Sequence, residues 1–369
     1  MRNHRLKSIY DFYTSDLSYN ELQKLIRKEA PNVLNFYLDA AKKPDNQNNL
    51  VRYFLFAKNI FLAFLFKLNP LRRLIYSIAL FLFVWGFINA YWSWVFFSFI
   101  TINILLAFEV AEKLTAKGEL EIAKKIQEGL LPTSPPINKK LDISFFAETA
   151  REVGGDYLDF ITNGEADKSF MFLGDISGKG MAAAIYMVQV RAIIHHLASK
   201  EDSIENILIE LNKVLCNIFS KNYFFTANAA LIKEETITFC RAGHLPTFFY
   251  QSSSKTCTRL VPSGIGLGLT SLDLFSTALK SHTLKLEPGD ILTFISDGVT
   301  ETMNQYNQEF GEEKLQKILM ANSHKSSKEI QNSILINLNA FRGDNEPNDD
   351  ISIIVIKAQE SINSPLNIN

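Results

Sequence analysis

The stretch Phe225–Tyr250, FTANAALIKEETITFCRAGHLPTFFY, holds three short apolar runs, Phe225–Ile232, Thr236–Ala242 and Phe248–Tyr250. Only a few residues separate one run from the next. Gaps that short cannot hold the crossover helix that a parallel strand pair requires. The three runs therefore read as strands of antiparallel sheet. Outward from this stretch, further β-like runs appear at Leu141–Ala147, Tyr157–Thr162, Phe170–Leu173, Ile291–Ile295 and Ile351–Ile356. Two amphipathic helical patterns lie at Met181–Ala198 and Ser203–Phe219. Strands in series with helices set apart from them argue for antiparallel sheets with helices packed outside, not for a doubly wound parallel sheet.

The 369-residue chain is nearly neutral, but its charge is unevenly placed. Lys and Arg outnumber Asp and Glu by 13 to 6 up to Arg73, and are outnumbered by 25 to 33 beyond it. An acidic body argues against nucleic-acid binding, and the basic leading segment fits anionic lipid. Cys216, Cys240 and Cys257 are scattered, with no Cys-x-x-Cys spacing. That usage fits a reducing compartment and excludes a zinc cluster.

From Leu74 to Phe108 there is no Asp, Glu, Lys or Arg. One straight helix of that length would reach roughly 50 Å against a hydrocarbon core of ~30 Å, so a hairpin of two spans fits better. The spans are placed at Leu71–Phe87 and Ser93–Val110. Gly86 and Asn89 are expected to turn the chain, with Tyr91, Trp92 and Trp94 at the interface. Arg72 and Arg73 mark the cytoplasmic side. Residues 51–69 read as an interfacial amphipathic helix with snorkelling Lys58 and Lys67, or as a third span. The expected organisation is a cytosolic segment at 1–50, that helix at 51–69, the membrane hairpin at 70–110, a linker helix at 111–136, the main domain at 137–358 and a disordered tail at 359–369. The linker helix either pairs with its twin in a homodimer or packs on its own domain.

The segment FLGDISGKGMAAA (Phe172–Ala184) resembles a phosphate-binding loop at first sight. It fails that pattern twice, because Gly180 follows Lys179 and Leu173 stands where the first glycine should be. What remains is an acid, Asp175, at the end of an apolar run. Asp156 in REVGGDYLDF, Asp297 in LTFISDGVTE and the Asp349-Asp350 pair in NDDISIIVI are placed alike, beside glycine or at a strand edge. Each alone reads as a turn. Together they form an all-oxygen set, which suits Mg²⁺ or Mn²⁺ rather than zinc.

In order along the chain, AKKIQEGLLP, EVGGDYLDF, LGDISGKGMAAAIYM, RAGHLPTFFY, GIGLGL, LEPGDILTFISDGVTE and NDDISIIVI resemble the motifs of the SpoIIE/RsbU-type bacterial serine phosphatases, relatives of protein phosphatase 2C in the metal-dependent PPM class. The resemblance covers about Ala123 to Ile356. It implies an α+β fold, an α/β/β/α sandwich of two antiparallel sheets flanked by helices, here preceded by a transmembrane helical hairpin. It implies two Mn²⁺ or Mg²⁺ ions. Carried over by position, Asp175 bridges them, the carbonyl of Ile176 joins the second ion, and Asp297 holds the first. Asp349 matches a ligand, with Asp350 the second choice for that place, and Asp156 binds the second ion directly or through water. Asp175 and Asp297 are the catalytic pair. Lys179 meets the substrate phosphate or faces water, and Glu152 is a candidate to orient metal-bound water. His244 is read as a packing or hydrogen-bonding residue, and the adjacent His195 and His196 point in different directions and make no metal pair.

The implied activity is hydrolysis of phosphoserine or phosphothreonine on a protein, with a phosphorylated STAS-type anti-sigma-factor antagonist as the expected substrate partner. The expected location is the inner membrane, multi-pass, with the phosphatase domain in the cytoplasm, membrane lipid as a second partner and no nucleic acid. The alternatives are a silent pseudophosphatase that holds a phosphoprotein, and a membrane scaffold. The acid set discriminates against both, since no member of it has been replaced.

Overall fold

The computed structural model describes residues 49–150, 153–162, 168–178 and 180–359. The readings made for residues 1–48 and 360–369, and for Glu152 and Lys179, lie outside the described residues. The chain divides into two compact units, Met1–Thr115 and Ala116–Asn369.

In the first unit, helix α1 spans Asn49–Lys67 and α2 spans Pro70–Ile88, with Pro70 at a helix start, where its missing N–H costs nothing. Helix α3 spans Trp92–Glu128. The turn between α2 and α3 is Asn89–Ala90–Tyr91, where the Asn89 side chain donates to the Trp85 carbonyl and Ala90 takes a φ of 57°. Gly86 does not turn the chain, contrary to the expectation above. It is helical, and a Cβ there would lie 3.1 Å from the Trp94 Cβ, so its bareness lets α2 and α3 close on each other. At the other end of the pair, Arg72 donates to Glu109 (3.0 Å) and Glu112 (2.6 Å). Large apolar side chains, among them Phe81, Trp85, Phe97 and Phe108, face outward. That is the reverse of a water-soluble helix pair. By length and composition, Pro70–Ile88, Trp92–Glu128 and Met181–Ala198 could each cross a membrane.

The second unit contains ten strands in two antiparallel five-stranded sheets among the described residues. One sheet has the order β1-β10-β9-β6-β7 and the other β2-β3-β4-β5-β8. The strands are β1 Leu141–Glu148, β2 Asp156–Thr162, β3 Lys168–Ile176, β4 Phe225–Lys233, β5 Thr236–Ala242, β6 Thr247–Gln251, β7 Thr256–Leu260, β8 Ser281–Lys285, β9 Ile291–Ile295 and β10 Ile351–Ala358. Alternation of side chains divides the core into layers. Met171 and Leu173 of β3 meet Phe294, Ile354 and Ile356 between the sheets. Phe170 and Phe172, on the other face of β3, pack under helices α4 (Met181–Ala198) and α5 (Ile204–Ile218). The apolar stripe of α5, Ile204, Ile207, Leu208, Leu211 and Leu215, is fully buried, and the Ser203 side chain caps its start by accepting from the Asn206 N–H. The inner face of α4 (Ala183, Met187, Val190, Ile194) is buried in the same layer, so this apolar helix packs on a sheet.

The other sheet is covered by α8 (Glu312–Ala321) and α9 (Ser327–Arg342), joined in sequence to the site by the one-turn α7 (Asp297–Thr300). A short helix, α6 (Leu272–Ala278), adds Phe275 to the α4–α5 layer. The sandwich expected from the sequence is thus observed. Four of its helices and the strands β7 and β8 were not foreseen.

Candidate metal centre

The period-two rule aims Asp175 into the gap between the sheets, on the same face of β3 as Met171 and Leu173. Strand β3 runs to Ile176, three residues past the expected end, so Asp175 belongs to the strand and is held by its ladder. It sits opposite Asp156 on β2 and opposite Thr226 on β4. Asp297 lies two residues past the end of β9, after Ser296. Ser296 laces that strand end to β10: its hydroxyl donates to the Asp350 carbonyl (3.0 Å) and accepts from the Ser352 N–H (2.8 Å). The result brings Asp175 from one sheet together with Asp297, Asp349 and Asp350 from the other. All four line one cavity of about 140 Å³ with Val153, Gly154, Gly155 and Gly178.

The four acids are not equivalent. Asp350 is buried, and both its oxygens already accept backbone N–H groups, from Ala150 (2.8 Å) and from Gly155 (2.9 Å). It ties Ala150 and Gly155 to the start of β10. Asp349 accepts the Asp350 N–H (3.0 Å). Asp156 does not line this cavity. Its Oδ2 accepts from the Ser352 hydroxyl (2.6 Å), and it borders a smaller recess beside Gln127 and Leu131 at the end of α3. Burial, reinforced by the nearby Asp175 and Asp350 charges, pushes its carboxyl well above the usual range.

The donor chemistry fits hard divalent cations: carboxylates and a carbonyl, with no Cys or His on the cavity wall. The glycines fit as well. A Cβ on Gly155 would sit 2.5 Å from Asp175 Oδ1 and 2.9 Å from the Ile176 carbonyl oxygen. Only a bare backbone leaves these two oxygens open on that side. A Cβ on Gly298 would run into the Asp350 carbonyl. Among the described residues no three His, Cys, Asp or Glu side chains are drawn onto a single point. The acids share a cavity, and ion binding would have to pull them inward against their mutual repulsion.

Two features escaped the sequence reading, and a third, His244, was read as a packing or hydrogen-bonding residue without its partners. Gln127, near the end of α3, is buried and grips the backbone of one residue on both sides: its Nε2 donates to the Gly154 carbonyl (2.7 Å) and its Oε1 accepts the Gly154 N–H (3.0 Å). The end of the linker helix therefore packs on its own domain. Asp159, the second acid of GGDYLDF, is buried on the helix-facing side of β2. Its Oδ2 meets His195 Nε2 (2.7 Å) and Arg191 Nε (3.1 Å), both on α4. His196 is exposed, so the two histidines do face apart. Finally, His244 is buried between the sheets, with Nδ1 on the Thr226 hydroxyl (2.9 Å) and Nε2 on the Ile295 carbonyl (3.2 Å).

Burial pushes His244 down to about 4, opposed in part by its bond to Ile295. A folded value below the unfolded one of about 6.5 means the unfolded chain binds more protons between those limits. The histidine's contribution is therefore present above about pH 6.5 and is lost as pH falls toward 4, by roughly 3 kcal/mol in all. Asp156, with its raised folded value, has the opposite slope. Chemical denaturation of wild type and His244→Gln, compared from pH 7 to 4, isolates the histidine. The wild type should lose stability faster than the variant, and parallel curves would show that His244 does not titrate in this way.

The model of the family described as Stage II sporulation protein E (SpoIIE) matches residues 165–359, more than half of the chain. The chain belongs to the SpoIIE family. It is 30% identical over 244 residues to the phosphoserine phosphatase RsbU of Bacillus subtilis, covering 65% of this chain and 70% of that one. It is 26% identical to the phosphoserine phosphatase RsbP of the same organism, over 51% of this chain and 47% of that one. Among solved structures, the SiaA-PP2C domain of Pseudomonas aeruginosa overlays with a TM-score of 0.57 at 18% identity, covering 67% of this chain and 98% of that domain. A SpoIIE structure from Bacillus subtilis, its PP2C phosphatase domain with a fragment of the regulatory domain, gives 0.51 at 15%, covering 61% of this chain and 64% of that one. These likenesses establish a PP2C-type sandwich for the second unit.

Proposed function

We propose that this SpoIIE-family chain is a membrane-anchored protein serine/threonine phosphatase that uses two Mn²⁺ or Mg²⁺ ions to hydrolyse phosphoserine on a signalling partner, a STAS-type anti-sigma-factor antagonist. The observation that carries the reading is the convergence of Asp175, Asp297 and Asp349, from two sheets, on one glycine-lined cavity. The phosphoserine phosphatases among its relatives support the reaction.

Asp175, Asp297 and Asp349, with the Ile176 carbonyl, would hold the ions, and Asp156 would act on them through water. Ions held there supply Lewis-acid activation of water and neutralise charge on the phosphoryl group. The protein's own share is positional. The β3–β4 ladder and the Ser296 lacing hold acids from two sheets to one cavity. Asp350 keeps its oxygens on the Ala150 and Gly155 N–H groups, and Gly155 keeps the Asp175 and Ile176 oxygens uncovered. Lys179 is the proposed contact to the substrate phosphate.

The outward apolar faces of α2 and α3 support anchoring, with the cytoplasmic end of the hairpin at the Arg72–Glu109 pair and a homodimer through the linker helix as a further element of the proposal. Reporters fused at the two chain ends should both score as cytoplasmic. Reporters on opposite sides would mean an odd number of spans. The activity itself is tested by phosphate release from a phosphoserine peptide by the full chain in detergent. Release that persists after exhaustive chelation would overturn the metal assignment.

A further inference from the structure

Two stretches that the sequence singles out, RAGHLP (Arg241–Pro246) and GIGLGL (Gly264–Leu269), contribute none of the acids of the cavity. The first is where the chain leaves β5 of one sheet and enters β6 of the other, and the second follows β7. Gly243 turns in the first with a φ of 69°, and a Cβ on it would stand 2.6 Å from the Gly266 nitrogen, so the two stretches press backbone to backbone. Arg241 braces the crossing by donating to the Pro262 carbonyl (3.0 Å) and to the His244 carbonyl (2.8 Å). The backbone of His244 is thereby held without help from its own ring.

The ring itself spans the gap between the sheets. On one side it meets Thr226, the residue opposite Asp175 in the β3–β4 ladder. On the other it meets the carbonyl of Ile295, two residues before Asp297. Ser352 and Asp350 tie the start of β10 to Asp156 and Gly155 at the start of β2. The contacts between the sheets are otherwise largely apolar, and apolar contact is non-directional. Where apolar contact alone joins the sheets, as around β3, β4 and β9, they can slide by tenths of an ångström at little cost, which is the precision an ion site needs. A rigid ring bonded at both ends resists that slide.

We propose that His244 is a positioning residue that sets the separation of Asp175 from Asp297 through its paired bonds to Thr226 and Ile295, and so tunes the grip of the acid set on divalent ions. The bonding pattern dictates its form. A carbonyl only accepts, so Nε2 carries the proton. Nδ1 is then the acceptor, and the Thr226 hydroxyl donates to it. A charged ring could not accept from Thr226, and the paired tie exists only with the neutral ring. The proposal rests on reading the acids as a divalent-ion site.

The test uses the full chain in detergent, with Mn²⁺ alone as the probe for binding and p-nitrophenyl phosphate for turnover. Thr226→Val removes one hydroxyl and is the gentle variant. His244→Ala removes both bonds, and His244→Gln retains a donor toward Ile295. Losses of alignment at a reacting centre reach on the order of 100-fold per ångström, so His244→Ala should weaken Mn²⁺ binding and kcat by about tenfold or more, and Thr226→Val by about threefold. His244→Gln should fall between them. KM for p-nitrophenyl phosphate should stay within about twofold, and the double variant Thr226→Val/His244→Ala should be no worse than His244→Ala alone, because both break one tie. A lowered melting temperature with unchanged Mn²⁺ affinity would reduce His244 to packing and overturn the proposal. Additive losses in the double variant would also overturn it. If His244→Ala does not fold, Thr226→Val decides: wild-type Mn²⁺ affinity in that variant contradicts the tie. Wild type that binds Mn²⁺ but releases no phosphate contradicts the proposed function instead, and leaves the affinity comparison intact.

Discussion

Replacing Asp175 with Asn is expected to lower the phosphatase rate by on the order of 10³-fold or more, about 4 kcal/mol in the barrier. The change keeps size and strand pairing, so the ladder to Asp156 and Thr226 should survive. What it removes is a negative charge that faces the gap between the sheets, on the wall of the shared cavity. Cations bound there would lose the acid placed between the two groups of ligands, and affinity for at least one should drop sharply. Without metal the variant should melt at the same temperature as wild type or slightly above it, because Asp175 is one of the charges that push Asp156 upward. Rate, Mn²⁺ titration and melting in chelator are to be compared. Near-normal turnover would refute the role given to Asp175, and loss of fold would return the question to the Mn²⁺ titration of Gly155→Ala.

Gly155→Ala is expected to cost about 100-fold in kcat/KM, close to 3 kcal/mol, with a parallel loss of Mn²⁺ affinity. The added methyl would stand 2.5 Å from Asp175 Oδ1 and 2.9 Å from the Ile176 carbonyl oxygen. The carboxylate can rotate away, but only by leaving its place on the cavity wall. The carbonyl belongs to β3 and cannot. Gly155 does not have a positive φ, so alanine brings no backbone strain, and the effect is one of space alone. Overpacking of this kind costs ~1–3 kcal/mol in stability, so the protein should remain folded at room temperature. Steady-state kinetics, Mn²⁺ titration and thermal melting check it. Wild-type kinetics in a folded variant would mean that these two oxygens do not need the room that Gly155 leaves them.

The sandwich was legible because its inner strands alternate or run continuously apolar. Phe225–Lys233 and Ile351–Ala358 bury nearly every residue, and such runs declare themselves. Strands β7 and β8 did not, since TCTRL and SHTLK are largely exposed edge strands with no apolar face to read. Helices α8 and α9 bury a narrow stripe, Leu315 and Leu319 in one and Ile330, Ile334 and Leu338 in the other, amid polar residues that dilute the periodic signal.

At the site, an acid beside glycine or at a strand edge identified Asp156, Asp175, Asp297, Asp349 and Asp350. Which of them clamps and which lines the cavity was not legible. The clamp on Asp350 is made by Ala150 and Gly155, some two hundred residues away in sequence. The pairing of Asp159 with His195 and Arg191, and of His244 with Thr226 and Ile295, depends likewise on which strand lies beside which helix or sheet. Local pattern carries no record of those distances.

The most direct test is phosphate release from a phosphoserine peptide by the purified full chain, followed through one cycle of Mn²⁺ addition, chelation and Mn²⁺ return, with Asp175→Asn run in parallel. Wild type should release phosphate only with Mn²⁺ present, lose activity in chelator and regain it on return, while Asp175→Asn stays near background throughout. Equal release by the two proteins, or release by wild type that chelation leaves untouched, would contradict the account.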